Sequence, residues 1–153
     1  ATILGLIPPL GGEVTTRGRL GYLAQDAHIF TTSVAENVKI GNKDASADQV
    51  KDALARAGLR VDPALNVGEL GSTLSGGEGR RLAASRLFVG DYQAIILDEP
   101  SEHLDPETAS ALLDDLWAST AGAPTLVITH DPEVIARCDR VIRLERPGSN
   151  QIG

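Results

Sequence analysis

The sequence predicts an α/β fold with a mostly parallel core sheet, and two patterns in its last third carry that prediction. Residues 94–97 (AIIL) and 125–129 (TLVIT) are short continuous apolar runs, which are typical of strands buried on both faces. The segment between them has a helical pattern, since Asp105 can cap a helix and Pro106 suits its first turn. The apolar stripe of this helix comprises Ala109, Leu112, Leu113, Leu116 and Trp117. We expect a third strand at 140–145 (RVIRLE), and strands that alternate with helices imply a parallel sheet whose ligands lie beyond the strand carboxyl ends.

The N-terminal residues predict short elements separated by proline and glycine. Residues 1–7 (ATILGLI) have the composition of the apolar end of a helix, which Pro8 and Pro9 stop because proline lacks a backbone donor. Residues 12–18 (GEVTTRG) and 19–25 (RLGYLAQ) indicate two short strands with glycine punctuation.

The middle segment, from Thr32 to about Val89, has a helical pattern. One helix has an apolar face that comprises Val50, Ala53, Leu54 and Ala57. Gly58 can end this helix, and Ser75 can cap the next one.

The entrance of that next helix favours an anion. Gly76 and Gly77 let the backbone approach a ligand closely, and the free N–H groups and the dipole of a helix that begins near Ser75 attract a phosphate. An ordinary serine cap followed by two glycines in a turn is the alternative for these residues alone. The helix also carries Arg80, Arg81 and Arg86. We expect at least two of these arginines to lie on a solvated face of the helix rather than to contact a ligand.

Composition limits the classes of protein to which the chain can belong. The net charge is −7 and no long block of Lys and Arg occurs, so nucleic acid is not expected as a partner. Cys138 is the one cysteine, which excludes an internal disulfide and fits a reducing compartment. No apolar run in these residues approaches the roughly 18 to 20 residues that span a bilayer.

Charged and polar side chains come after both apolar runs. Asp98 and Glu99 stand directly after the first run, where one carboxylate can hold Mg²⁺ through water and the other can activate an attacking water. His130 stands after the second run, where an imidazole can donate to a terminal phosphate oxygen. Taken singly, each pattern has a plainer alternative, a turn before Pro100 for the two acids and a helix cap for the histidine.

Five motifs in the expected order and spacing resemble those of the ATP-binding cassette (ABC) ATPases, and the resemblance covers essentially the whole chain. They are the Q-loop glutamine Gln25, the signature motif LSGGE (74–78), the Walker B strand AIILDEP (94–100), the D-loop SEHLD (101–105) and the switch histidine of ITH (128–130).

The resemblance implies a mechanism in which two cassettes pair head to tail around ATP and Mg²⁺. Each nucleotide then lies between the phosphate loop of one cassette and the signature motif of the other. The residues implied at the chain's own site are Glu99, His130 and Gln25 as catalytic groups, with Asp98 and Gln25 at the metal. The residues implied at the partner's nucleotide are Ser75, Gly76, Gly77, Glu78 and Asp105.

Three further segments resemble exporters. QDAHIFTTSVAENV (25–38) is similar to the exporter form of the Q-loop, and NVGELGSTLSGGE (66–78) is similar to the exporter segment before the signature. Glu69 and the Gln25 loop are implied to touch the coupling helices of a transmembrane domain, although Glu69 alone also fits an ordinary loop carboxylate. DEPSEHLD (98–105) resembles the CydC type of thiol-reductant exporter subunit, which implies a different second cassette and cysteine or glutathione as the transported thiol.

The family's phosphate-binding loop, GxxGxGK[ST], does not occur in these residues. Residues 1–14 (ATILGLIPPLGGEV) resemble the family's segment on the carboxyl side of that loop, so we expect a truncated cassette: a partial P-loop NTPase fold that lacks the phosphate-loop strand. Such a chain has an exposed sheet edge, is inactive alone, and still offers its signature motif to a partner in trans.

The motifs divide the chain into 1–30 (residual N-terminal strands and Q-loop), 31–90 (helical signature subdomain) and 91–153 (Walker B, D-loop and switch-histidine core). The resemblance implies a place at the cytoplasmic side of the plasma (inner) membrane within a transporter, with these residues themselves soluble. Two alternatives stay open: a non-transport ABC ATPase that acts on nucleic acid or ribosomes, and a non-catalytic association module.

Overall fold

The structure is a computed structural model that describes residues 1–68, 74–102, 104–120 and 122–144. None of the helices in these residues has the length and hydropathy that a membrane span requires.

Three parallel strands form one sheet in the order β1 (Leu20–Leu23), β2 (Ala94–Asp98) and β3 (Thr125–Ile128). The central strand is buried on both faces, and Leu97 lies between Leu23 of β1 and Val127 of β3. Strands are therefore confirmed at 94–97 and within 125–129. The predicted burial on both faces is confirmed for β2 but is wrong for β3, where Leu126 and Ile128 are exposed.

The polypeptide passes from β2 to β3 through α4 (Pro106–Thr120), and α5 (Pro132–Ala136) comes after β3. The predicted stripe of α4 is largely buried, with Leu112, Leu113 and Leu116 at 1% exposure or less. Helices of this kind cover the faces of a parallel sheet and remove its apolar side chains from water.

In the described part of the chain before β2 the helices are α1 (Val34–Lys39), α2 (Ala47–Arg56) and α3 (Gly76–Val89). The predicted end of α2 is confirmed, since Gly58 adopts φ +63, a left-handed conformation that suits glycine after a helix.

Helix α3 is the central packing element, because it contacts α1, α2, α4 and β1. It is covered on several sides, and its buried side chains are Leu82, Ala83, Ala84, Ser85, Leu87, Phe88 and Val89. Together with Leu97 of β2 and Leu116 of α4, the apolar ones among them belong to one cluster, which fixes α3 against the sheet.

Three predicted elements are wrong. Residues 1–7 form one turn rather than a helix end, and Gly5 at φ +71 interrupts it. Residues 12–18 and 140–144 lie exposed without strand pairing. A strand needs a neighbour for its N–H and C=O groups, and neither segment has one among the described residues.

Among the residues that the structure describes, β3 is an exposed outer strand of the sheet, as predicted. Strand β3 pairs with β2 on one side, and Leu126 and Ile128 remain 42% and 45% exposed. An unpaired edge of this kind offers backbone donors and acceptors to another strand.

Candidate functional site

The carboxyl ends of the three parallel strands bring the candidate residues to one edge of the sheet. Gln25 lies two residues beyond β1, Asp98 ends β2, and His130 lies two residues beyond β3. Because parallel strands end on the same side, residues far apart in the sequence meet there.

Glu99 occupies the centre of this edge. Its carboxylate accepts a hydrogen bond from Thr129 Oγ1 at 3.0 Å and contacts His130 Nδ1 at 2.9 Å. Both of these residues belong to the segment that follows β3. Its backbone adopts φ 44, which a residue with a side chain rarely does. Strained backbone of this kind persists where surrounding contacts hold it, and it concentrates at functional sites.

His130 is exposed apart from its contact with Glu99, since 82% of its side chain is open to solvent. The hydrogen bond with Glu99 raises the pKa of His130, and the negative charge of Glu99 raises it further. The imidazole is therefore more often protonated at a given pH than a free histidine, and it can present a positive charge to an anion.

Asp98 receives a hydrogen bond from the hydroxyl of Tyr22 at 2.9 Å. Burial raises the pKa of Tyr22, and this bond to Asp98 raises it further, so the phenol keeps its proton and donates. Sequence reasoning missed Tyr22. The sequence has no local signal for this contact, because only the register of β1 against β2 places Tyr22 beside Ile96 and so on the same sheet face as Asp98.

The carboxylate of Asp98 fits the contribution that proteins usually make to a magnesium site. Within the described residues no group of three or more His, Cys, Asp and Glu side chains is arranged to hold a metal. Mg²⁺ commonly takes only one or two protein carboxylates and fills its other positions with waters and substrate phosphates. One carboxylate at a strand end meets that requirement.

Gln25 donates its amide to the carboxylate of Glu102. The structure thus joins Gln25 to the segment after β2, but to Glu102 rather than to the expected metal residue Asp98. Glu102 also lines a cleft of about 250 Å³ together with Glu99, Ser101, His130, Asp131 and Pro132. Three of these six residues are acidic, so the cleft as it stands is a poor site for a polyanion.

The predicted helix entrance is confirmed, because α3 begins with Ser75 as its N-cap. Ser75 Oγ accepts from the N–H of Glu78 at 3.2 Å, and the Glu78 carboxylate accepts from the N–H of Ser75 at 2.8 Å. This reciprocal pair uses two of the backbone donors at the helix start. The side chain of Glu78 is thus part of the helix cap.

The two glycines after Ser75 have different surroundings. A Cβ on Gly76 would meet nothing within 4 Å, so its backbone is open to a ligand. A Cβ on Gly77 would lie 2.9 Å from Thr108 Cγ2, so this glycine lets α3 approach the first turn of α4. Asp105 caps that turn through the N–H of Thr108 at 3.0 Å. This contact with Thr108 lowers the pKa of Asp105 and keeps it charged.

Other sequence predictions have different outcomes. Glu69 lies outside the described residues. The solvated-face interpretation of the three α3 arginines is wrong, since each side chain is half-buried and donates to backbone carbonyls: Arg80, Arg81 and Arg86. The helix is covered on several sides, so its long polar side chains reach carbonyl oxygens of neighbouring segments.

A parallel sheet with acidic and imidazole side chains at its carboxyl edge, beside an open helix N-terminus, is typical of α/β nucleotide-binding domains. A family model described as ABC transporter matches residues 1–102. The chain therefore belongs to the ABC transporter family, whose nucleotide-binding domains are ATPases. The family and the fold class predicted from the motifs are confirmed.

Several relatives are ATP-binding/permease proteins. The chain is 32% identical over 164 residues to the glutathione/L-cysteine transport system ATP-binding/permease protein CydD of Bacillus subtilis, and this match covers 95% of the chain and 28% of the relative. It is 32% identical over 138 residues to the corresponding protein CydC of Escherichia coli, which covers 87% of the chain and 24% of the relative.

A solved structure, of a bacterial Atm1-family ABC exporter with ATP bound, matches 78% of the chain and 22% of that protein. The TM-score is 0.68 at 31% sequence identity. The chain thus spans about a quarter of the length of the curated relatives it matches.

Proposed function

We propose that these residues are part of the ATP-hydrolysing motor domain of an ABC exporter. The observation that carries the proposal is Glu99 at the end of the central strand, held by Thr129 and His130 from the neighbouring strand end. A carboxylate in this position can accept a proton from an attacking water, and a protonated imidazole beside it can donate to the phosphate that is being transferred.

In this proposal Gln25, Asp98, Glu99 and His130 serve one nucleotide. Glu99 accepts the proton of the attacking water, His130 donates to the terminal phosphate, and Gln25 orients water between the strand ends. Asp98 and Gln25 would hold Mg²⁺, whose chemistry is to neutralise the charge that develops on phosphate oxygens. The 2.9 Å contact between Glu99 and His130 supports this division of roles, because it raises the pKa of His130 and so favours a protonated imidazole beside the carboxylate.

The start of α3 serves a second nucleotide, one that belongs to a partner cassette. The residues assigned to it are Ser75, Gly76, Gly77, Glu78 and Asp105. The open backbone at Gly76 supports this role, as does the close packing of Gly77 on the first turn of α4, which brings Asp105 toward the helix start. The partner is a second cassette, with a different subunit favoured over a second copy.

The 153 residues by themselves are expected to be inactive. They contain no GxxGxGK[ST] loop, and phosphoryl transfer depends on the backbone and lysine of such a loop to position the phosphates. Without those groups the carboxylates of the cleft repel a triphosphate. In trans, the open helix start still complements a partner.

The transported substrate in this proposal is a thiol such as cysteine or glutathione. The support is the DEPSEHLD segment together with two relatives whose names describe glutathione/L-cysteine transport. The site of action would be the cytoplasmic face of the plasma membrane, where Glu69 and the Gln25 loop would contact the coupling helices of a transmembrane domain. The net charge of −7 argues against nucleic acid as a partner.

The test of the proposed function is Glu99→Gln in the full-length protein that carries these residues. The amide keeps the shape of the side chain and loses its basicity, so steady ATP turnover falls by about 100-fold or more while ATP binding is nearly unchanged. Glu102→Gln is the matched control, because it removes the same charge from the same cleft, and it lowers turnover by less than about tenfold. Equal turnover in wild type and Glu99→Gln would refute the assignment.

A further inference from the structure

Three arginines on α3 use their guanidinium groups to connect that helix to neighbouring segments. Arg81 donates to the carbonyl of Ala57 at 2.8 Å and pairs with Asp115, so it joins α3 to α2 and α4. Arg86 donates to Asn37 of α1 at 2.9 Å and 3.1 Å. Both contacts lie within the helical packing and reach no residue of the strand-end site.

Arg80 makes a different set of contacts. It donates to the carbonyls of Ala24 at 3.3 Å and Pro100 at 3.4 Å, and also to the carbonyls of Gln25 and Glu99. One guanidinium therefore bonds the backbone just beyond β1 and the backbone just beyond β2. These two segments carry Gln25 and Glu99, which in the proposed function serve the same nucleotide.

We propose that Arg80 is a positioning residue that holds the backbone at Gln25 and the backbone at Glu99 to the helix that begins at Ser75. A guanidinium is planar and has five N–H donors, so it can bond four carbonyls in two segments at once, which a lysine ammonium cannot do with its three donors. Burial lowers the pKa of Arg80, and the charges of Asp26, Glu102 and Asp98 oppose that change. An arginine stays protonated in proteins, so all five donors are present.

If the proposed function is right, Arg80 also provides a structural connection between the two nucleotide sites. Ser75 and Arg80 are five residues apart on one helix, a distance of about 7.5 Å along its axis. When Ser75 contacts a partner's nucleotide, any shift of the helix start reaches Arg80 and then the two segments it bonds. Arg80 thereby connects the helix start that faces one nucleotide to the residues that act on the other.

The experiment compares Arg80→Met with Arg81→Met in the full-length protein. Both changes remove a half-buried guanidinium from the same helix, but only the first removes bonds to the strand-end segments. Hydrogen exchange measured by mass spectrometry should be faster in Arg80→Met at residues 24–26 and 99–102, and unchanged there in Arg81→Met. The kcat for ATP should fall about tenfold or more in Arg80→Met with little change in KM, and stay within about twofold in Arg81→Met.

The Arg80→Lys variant tests whether the positive charge of Arg80 or its set of hydrogen bonds is responsible for these effects. It keeps the charge and the apolar stem of the side chain. Because lysine retains the charge but not the fork of donors, exchange at 24–26 and 99–102 should remain faster than in wild type. Wild-type exchange in Arg80→Met, equal effects in Arg81→Met, or full recovery of both readouts in Arg80→Lys would overturn the proposal. A wild-type protein without ATP turnover would refute the proposed function instead, and the exchange comparison would still test Arg80.

Discussion

Ser75→Ala removes the hydroxyl at the start of α3, and the chain contains a matched control for it. Ser46 caps α2 with the same geometry, because its Oγ accepts from the N–H of Gln49 at 3.2 Å and its N–H donates to the Gln49 side chain at 2.8 Å. The corresponding distances at Ser75 and Glu78 are also 3.2 Å and 2.8 Å. The two substitutions therefore remove equivalent structural contacts.

The expected stability loss is the same at both positions. Replacing a serine cap by alanine costs about 1 kcal/mol, which lowers the Tm of a domain of this size by roughly 2 to 4 °C. Thermal unfolding of the 153-residue chain, monitored by circular dichroism, measures this loss for Ser75→Ala and Ser46→Ala side by side.

The expected effect on function differs. Ser75 Oγ accepts in the cap and still carries its own O–H, which in the proposed function donates to a phosphate of the partner's nucleotide. A hydrogen bond to a charged group contributes about 1.5 to 3 kcal/mol, which corresponds to roughly 10- to 160-fold in turnover. Ser75→Ala should lower the ATP turnover of the full-length protein by that factor, while Ser46→Ala leaves it within about twofold.

Equal turnover in the two variants would contradict the proposed contact between Ser75 and a phosphate. That result would mean that Ser75 acts only as a helix cap, as Ser46 does. A turnover loss in both variants in proportion to their Tm would lead to the same conclusion, because stability alone would then account for it.

Two further predictions concern the 153-residue chain. Glu99→Gln should lower the pKa of His130 toward its ordinary value of about 6.5, as measured by NMR titration of the imidazole, because the contact with Glu99 raises it. Because the pKa of His130 is higher in the folded protein than in the unfolded one, the contact stabilises the fold fully below the unfolded pKa. This stabilisation is lost as the pH rises through the folded pKa. An unchanged titration of His130 in Glu99→Gln would contradict the pairing. The exposed edge at β3 should cause concentration-dependent self-association in analytical ultracentrifugation, and a monomer at every concentration would contradict this.

The parts of the fold that could be predicted from the sequence have local signals. Residues that are close in the sequence determine the local conformation of four features. These features are the apolar runs at 94–97 and 125–129, the helix cap at Ser75 and the turn at Gly58. The grouping of residues at the strand ends could be predicted from these elements, because parallel strands that end on one side bring their next residues together.

The parts that could not be predicted depend on contacts between distant residues. Residues 12–18 and 140–144 have apolar and β-branched residues, yet strands need pairing partners that a local pattern does not reveal. The partners of Arg80 are four carbonyls from two other segments, and backbone carbonyls have no sequence signature. The bond from Tyr22 to Asp98 likewise depends on the register of two strands, since these residues are 76 positions apart.

The most direct test of the account is a titration of Mg-ATP into the folded 153-residue chain, with phosphate release measured in the same samples. In the proposed function Asp98, Glu99 and His130 act in ATP hydrolysis, whereas phosphate binding depends on a loop that these residues do not contain. We therefore expect at most weak binding and no turnover that depends on Glu99. Micromolar binding together with turnover that disappears in Glu99→Gln would contradict the proposed function, because the chain would then hold and hydrolyse ATP without that loop.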